Sequence, residues 1–185
     1  MKHIIDRCGA LLLLLAVFLT SCEGDVQTEY TRNHAFFRYP MVNTTPELRT
    51  ALNSPGMFCK ISFPPNVYLF TDADGKSTQV NRTALEGYGK PMFIAGFLVG
   101  TSALPGPNGN FSPVAYDLVC PNCYQDSFIQ RAVDFQTHTE VKCGRCGRVY
   151  DLNNNAIVKS EGGGRPLFRY RMSYAPAQGV LVIQN

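Results

Sequence analysis

Two cysteine pairs constrain this chain more than any other feature. Cys120-Pro121-Asn122-Cys123 is followed, after nineteen intervening residues, by Cys143-Gly144-Arg145-Cys146-Gly147. A tight CxxC turn points two thiolates at one centre while backbone N–H groups face the sulfurs and offset their charge. Pro121 pre-sets φ in the first turn, and Gly144 and Gly147 permit positive φ in the second. Two such knuckles brought together form a tetrahedral S₄ site suited to zinc or iron. Any fold of this chain must therefore carry residues 120–123 to residues 143–146. The competing reading is disulfide bonding or free thiols. Redox CxxC pairs sit at a helix start next to a strand. Here Tyr124 and Gly147-Arg148-Val149-Tyr150 are expected to continue as strand or turn, which favours the metal.

The chain has seven cysteines, so three remain to be placed. Lys2 and Arg7 precede the apolar run Gly9 to Leu19, which is too short to span a bilayer, where about 20 residues are needed. The run ends in Leu19-Thr20-Ser21-Cys22. This segment resembles the lipobox of bacterial lipoproteins. The resemblance implies that residues 1–21 are a signal peptide, removed together with Cys8. It also implies that Cys22 becomes the lipidated first residue of the mature chain. An ordinary secreted protein with a chance cysteine after its cleavage site is the alternative. Each buried methylene of an anchor contributes about 0.8 kcal/mol, so several acyl chains hold firmly. The expected location is the bacterial cell envelope, outside the cytoplasm and on the outer membrane. Glu23 and Asp25 add a weak match to surface-export signals. The last cysteine lies in Met57-Phe58-Cys59-Lys60-Ile61, where alternation puts it on the core-facing side as a small hydrophobe.

Composition decides the rest of the class. At 185 residues, 45% hydrophobic and 17% charged, the chain can bury a core, and a disordered chain would need the opposite balance. The net charge of +3 is spread without a basic block, so no nucleic-acid partner is expected. Residues 22–35 are polar and aperiodic and read as a flexible tether. Pro46 to Asn53 reads as a short helix, with Thr45 as its cap and Leu48, Ala51 and Leu52 on one face. Beyond it the pattern is all-β. Strands are expected at Met57 to Phe63, Val67 to Thr71, Ser77 to Asn81, Pro91 to Val99 and Val114 to Val119. A closing hairpin joins Leu167 to Ser173 with Val180 to Ile183. Gly96 and Gly100 mark bulges or a close backbone approach. His34 and His138 read as surface residues. Asp72-Ala73-Asp74-Gly75 lacks the later ligands of a calcium loop, and Gly75-Lys76-Ser77 lacks the upstream glycine of a phosphate loop.

Ala115-Tyr116-Asp117-Leu118-Val119-Cys120-Pro121 resembles the strand and first ligand loop of Rieske domains. Cys143-Gly144-Arg145-Cys146-Gly147-Arg148-Val149-Tyr150-Asp151-Leu152 resembles their second loop and the strand after it. Pro166-Leu167-Phe168-Arg169-Tyr170 and Gly179-Val180-Leu181-Val182 match the closing hairpin. The resemblance is strong over residues 114–185 and thinner back to about residue 57. It implies an antiparallel β-sandwich over residues 36–185, with a small rubredoxin- or zinc-ribbon-like metal-binding subdomain at about 117–152. The family's two histidine ligands are absent: Asn122 and Cys146 occupy those positions. Only Cys120 and Cys143 carry over directly, and Cys123 and Cys146 would replace the histidines.

Four thiolates fit one Zn²⁺, one rubredoxin-like iron or a low-potential [2Fe–2S] cluster. The expectation is a lipid-anchored envelope protein with a structural zinc and a binding or assembly role. The alternatives are a [2Fe–2S] electron carrier with a redox partner, and a thiol–disulfide protein. A closed S₄ site leaves no open coordination position, and no catalytic base, nucleophile or substrate pocket is visible. No enzyme is predicted.

Overall fold

The computed structural model describes residues 29–82, 90–106 and 108–185. Cys22 and the signal-like segment lie outside them. The described part of the polar N-terminal segment runs onto the domain. The Thr31 amide donates to the Arg169 carbonyl, and Ala35 is buried.

The chain is mostly β. Its strands are β1 (Phe36–Tyr39), β2 (Met57–Ser62), β3 (Val67–Asp72), β4 (Ser77–Asn81), β5 (Phe97–Thr101) and β6 (Pro113–Asp117). They continue with β7 (Val133–Phe135), β8 (Glu140–Cys143), β9 (Val149–Asp151), β10 (Ile157–Val158), β11 (Arg169–Ala175) and β12 (Val180–Gln184). Among the described residues, two short α-helices, α1 (Pro46–Asn53) and α2 (Pro121–Ser127), and one 3-10 turn at Val42–Thr44 join them. Eight strands form one sheet in the order β1-β12-β11-β6-β5-β2-β3-β4, and four form a second, β10-β9-β8-β7. All pairings are antiparallel. No helix among the described residues is long and apolar enough to cross a membrane.

The large sheet curls on itself. β1 and β3 stand six places apart, which would be about 29 Å in a flat sheet. Yet the rings of Phe37 and Tyr68 are 5.5 Å apart, and those of Tyr39 and Phe70 only 4.7 Å. Phe63, Phe93, Phe97 and Tyr170 extend this aromatic core, mostly edge to face. Helix α1 packs against it through Leu48, Ala51 and Leu52. The backbone puts Thr45 at the helix cap, but its hydroxyl does not cap. It donates to the Met41 carbonyl and lies 2.6 Å from the Tyr39 hydroxyl. The far end of α1 is served instead by Thr101, whose hydroxyl faces the Ala51 and Leu52 carbonyls.

Strand β5 is buried at every position because both of its faces are covered. Phe97 and Val99 face the aromatic core, whereas Leu98, with Phe58 and Tyr116, faces a second cluster under the small sheet. Cys59 is fully buried in the aromatic core beside Ile61, where burial pushes its thiol pKa up. Gly100 is required by close approach: a Cβ there would stand 2.3 Å from the Met57 carbonyl oxygen on β2.

The apolar run from Pro91 forms a strand only from Phe97 onward, with Met92 making a lone bridge to Phe36. The cause is Asp117. Its buried carboxylate accepts the amides of Ile94, Ala95 and Val119 and the Tyr170 hydroxyl. These bonds take residues 94 and 95 off the ladder and end β6 before Val119. Burial raises the Asp117 pKa, and the four donors oppose it without cancelling it.

Candidate metal centre

The four cysteines of the two knuckles meet at one point. Cys120 caps α2, Cys123 lies in its first turn, Cys143 ends β8, and Cys146 lies in the turn to β9. Their sulfurs all fall within 4.8 Å of one another. Across the knuckles, Cys120 and Cys146 sulfurs are 3.6 Å apart, and those of Cys123 and Cys143 are 3.7 Å apart. A tetrahedron of thiolates around one zinc, with Zn–S of about 2.3 Å, has edges of about 3.8 Å. All four thiols are free, and the contacts exceed the roughly 2.05 Å of a disulfide. The cluster can hold a metal ion.

Local sequence explains each half. Beyond Val119 the chain does not continue as strand or turn. Residues Pro121–Ser127 form a helix, with Pro121 at its first position and Cys120 as its cap. Proline suits that position because the amide it lacks would have had no helical partner. The second knuckle is a turn, as expected, in which the Gly147 amide donates to the Cys143 carbonyl at φ +74°.

The halves differ in their surroundings. Cys120 and Cys143 are fully buried, Cys123 is nearly so, and Cys146 is exposed. Burial, reinforced by the neighbouring thiols, pushes the Cys120 and Cys123 pKa values up. At Cys146 burial also pushes up, but hydrogen bonds from the Arg148 amide and guanidinium, helped by the Cys120 and Cys143 thiols, bring it down to about 6.

A polar layer behind the sulfurs was not foreseen from sequence. The Tyr150 hydroxyl lies 3.1 Å from the Cys120 sulfur, and Asn122 Nδ2 donates to the same hydroxyl at 3.0 Å. Tyr150 thus accepts from Asn122 and keeps its own proton for the sulfur. Asn122 also holds residues 160–166: its Oδ1 accepts the Arg165 amide, and its Nδ2 reaches the Arg165 carbonyl. Arg148 Nε donates to the Gly163 carbonyl from the other side. Gly164 makes this possible, since a Cβ there would stand 2.8 Å from Asn122 Oδ1. The sequence signal was the run Gly162-Gly163-Gly164, with a polar residue between two cysteines. His34 and His138 are exposed; His138 pairs with Asp74 away from the thiols.

Fold and site together define a mostly β protein, two antiparallel sheets with a four-cysteine candidate metal centre on the smaller one. No family model, no curated relative and no solved structure matches the chain.

Proposed function

We propose that this is a lipid-anchored cell-envelope protein. In this reading its Rieske-like β domain holds one structural zinc at Cys120, Cys123, Cys143 and Cys146 and serves binding or assembly. The observation that carries the metal reading is the common centre of the four sulfurs, within 4.8 Å. A two-iron cluster would put a second iron and two bridging sulfides between the thiolate pairs and spread them further apart. Four thiolates sharing one centre favour a single ion. The metal, once bound, supplies a cross-link between α2 and the β8–β9 turn. The chain's own residues orient the sulfurs: Tyr150 donates to Cys120, and Arg148 offsets charge at Cys146. Supporting the Rieske-like reading are the two ligand loops and the antiparallel β scaffold that brings them together. Supporting the anchor are Leu19-Thr20-Ser21-Cys22 and the apolar run before it.

A thiol–disulfide function is favoured by one observation, the helix that begins at Cys120. Metal analysis separates the readings. Protein purified without oxygen should be colourless and carry one zinc per chain. Visible absorbance with labile sulfide would support a [2Fe–2S] electron carrier instead. Metal-free protein that loses two titratable thiols on mild oxidation would support the thiol–disulfide reading.

A further inference from the structure

The most exposed large apolar side chain among the described residues is Phe128, at 83%. It closes α2 in the left-handed conformation, φ 54°, with its amide donating to the Cys123 and Tyr124 carbonyls. Glycine is the usual residue at such a position, because a side chain there is strained. The Phe128 ring meets Tyr124 at a centroid distance of 6.4 Å and otherwise faces outward. Neither backbone preference nor burial accounts for an aromatic residue at this place.

Tyr124 also connects Phe128 to the point where the N-terminal segment enters the domain. Arg32, Asn33 and His34 line one open cleft with Met92, Phe93 and Tyr124. Met92 is 49% exposed. Arg32, His34 and Lys90 are exposed as well, and among the described residues neither Arg32 nor Lys90 forms an ion pair. Two acids nearby among the described residues are already matched, Glu29 with Arg169 and Asp126 with Arg165. The face is therefore apolar at Phe128 and Met92 and cationic around them.

We infer that this face rests on the bilayer surface. Phe128 and Met92 enter the boundary between headgroups and acyl chains, and Arg32 and Lys90 meet anionic headgroups. The inference rests on the reading of Cys22 as the lipidated residue. Seven residues lead from Cys22 to Glu29, and they span at most about 25 Å when fully extended. An anchored chain thus keeps this face, and not the opposite end of the domain, within reach of lipid. That proximity favours a membrane over an acidic protein as the occupant.

The chain has no tryptophan, so one introduced indole reports alone. Phe128→Trp is compared with Phe111→Trp, a 48% exposed position in the loop between β5 and β6. Each full chain, processed and reconstituted in phosphatidylethanolamine–phosphatidylglycerol vesicles, is titrated with brominated lipid. The Phe128→Trp emission should shift to the blue and fall at least twofold, and the Phe111→Trp emission should do neither. Equal quenching at both positions, or none at either, in chains that float with the vesicles overturns the orientation and leaves the anchor standing. A blue shift without quenching shows a protein surface over Phe128 and overturns the membrane as occupant. Chains that neither float nor carry acyl mass on Cys22 end the anchor reading and this inference together. Phe128→Gly should melt at the same temperature or higher; a lower value would show that Phe128 serves the fold and would overturn the inference.

Discussion

The two knuckles share one motif and contrast in almost everything else. The first sits on a helix, under a buried cluster, with both of its thiols pushed up in pKa. The second is a turn whose outer cysteine is exposed and brought down to about 6. A CxxC spacing therefore aims two sulfurs at one point but leaves their protonation to the surroundings. Three inner thiols are placed by the hydrophobic cluster that also contains Val133, Val141, Tyr150 and Leu152. The fourth is placed by Arg148.

Removing an inner cysteine should do the greatest damage. Cys143→Ala leaves three thiolates and should lose the metal, with on the order of 10 kcal/mol of metal-coupled stability at stake. Metal content should fall from one per chain to none. Amide exchange should rise throughout β7–β10, while β2, β3 and β5 keep their protection. Unchanged melting of this variant would show that the site is not structural.

Next is Asp117, which fixes the backbone leading into the first knuckle. Asp117→Asn turns one of the two accepting oxygens into an amide donor facing two of the four donors, and should cost about 3 kcal/mol in denaturant unfolding. A loss below about 0.5 kcal/mol would mean that the carboxylate does not hold this junction.

Alkylation tests the contrast in protonation directly. In metal-stripped protein Cys146 should react first with iodoacetamide, with a rate midpoint near pH 6, while Cys120 and Cys123 lag. A thiol whose folded pKa is depressed stabilises the fold above its unfolded value, and that contribution is lost as pH falls through about 6. Arg148→Ala should move the midpoint back toward the ordinary thiol range. If the midpoint stays, Arg148 is not its cause.

The smallest expected effect lies at Tyr150. Tyr150→Phe removes the proton offered to Cys120 and should weaken zinc binding about 10-fold, read by competition with a chelator. The fold should hold, because the ring stays in its cluster.

Much of the site was readable from the chain. The ligand set follows from spacing alone, because four thiolates in two tight turns are useful together and costly apart. Helix α1 was readable at its stated bounds from Pro46 and the face of Leu48, Ala51 and Leu52. The strands expected from Pro91 and over Val114 to Val119 were misjudged in extent for one reason: Asp117 binds backbone amides far along the chain, and no local pattern announces that. The closing strand, expected at Leu167 to Ser173, runs instead over Arg169–Ala175. The helix at Pro121 was missed because a seven-residue helix has little periodicity of its own. It forms where the sulfurs and the cluster beneath them hold its first turn.

The sequence by itself determined that four cysteines converge, that the scaffold is mainly β, and that one cysteine lies in the core. Those are consequences of spacing and alternation, which act over a few residues. The tertiary structure decided which thiol is exposed and has its pKa brought down, that Tyr150 and Asn122 stand behind the sulfurs, and that Gly164 lets a distant loop close over them. These depend on approaches between residues tens of positions apart. Close packing and the desolvation of polar groups set such approaches, and both act only once the chain is folded.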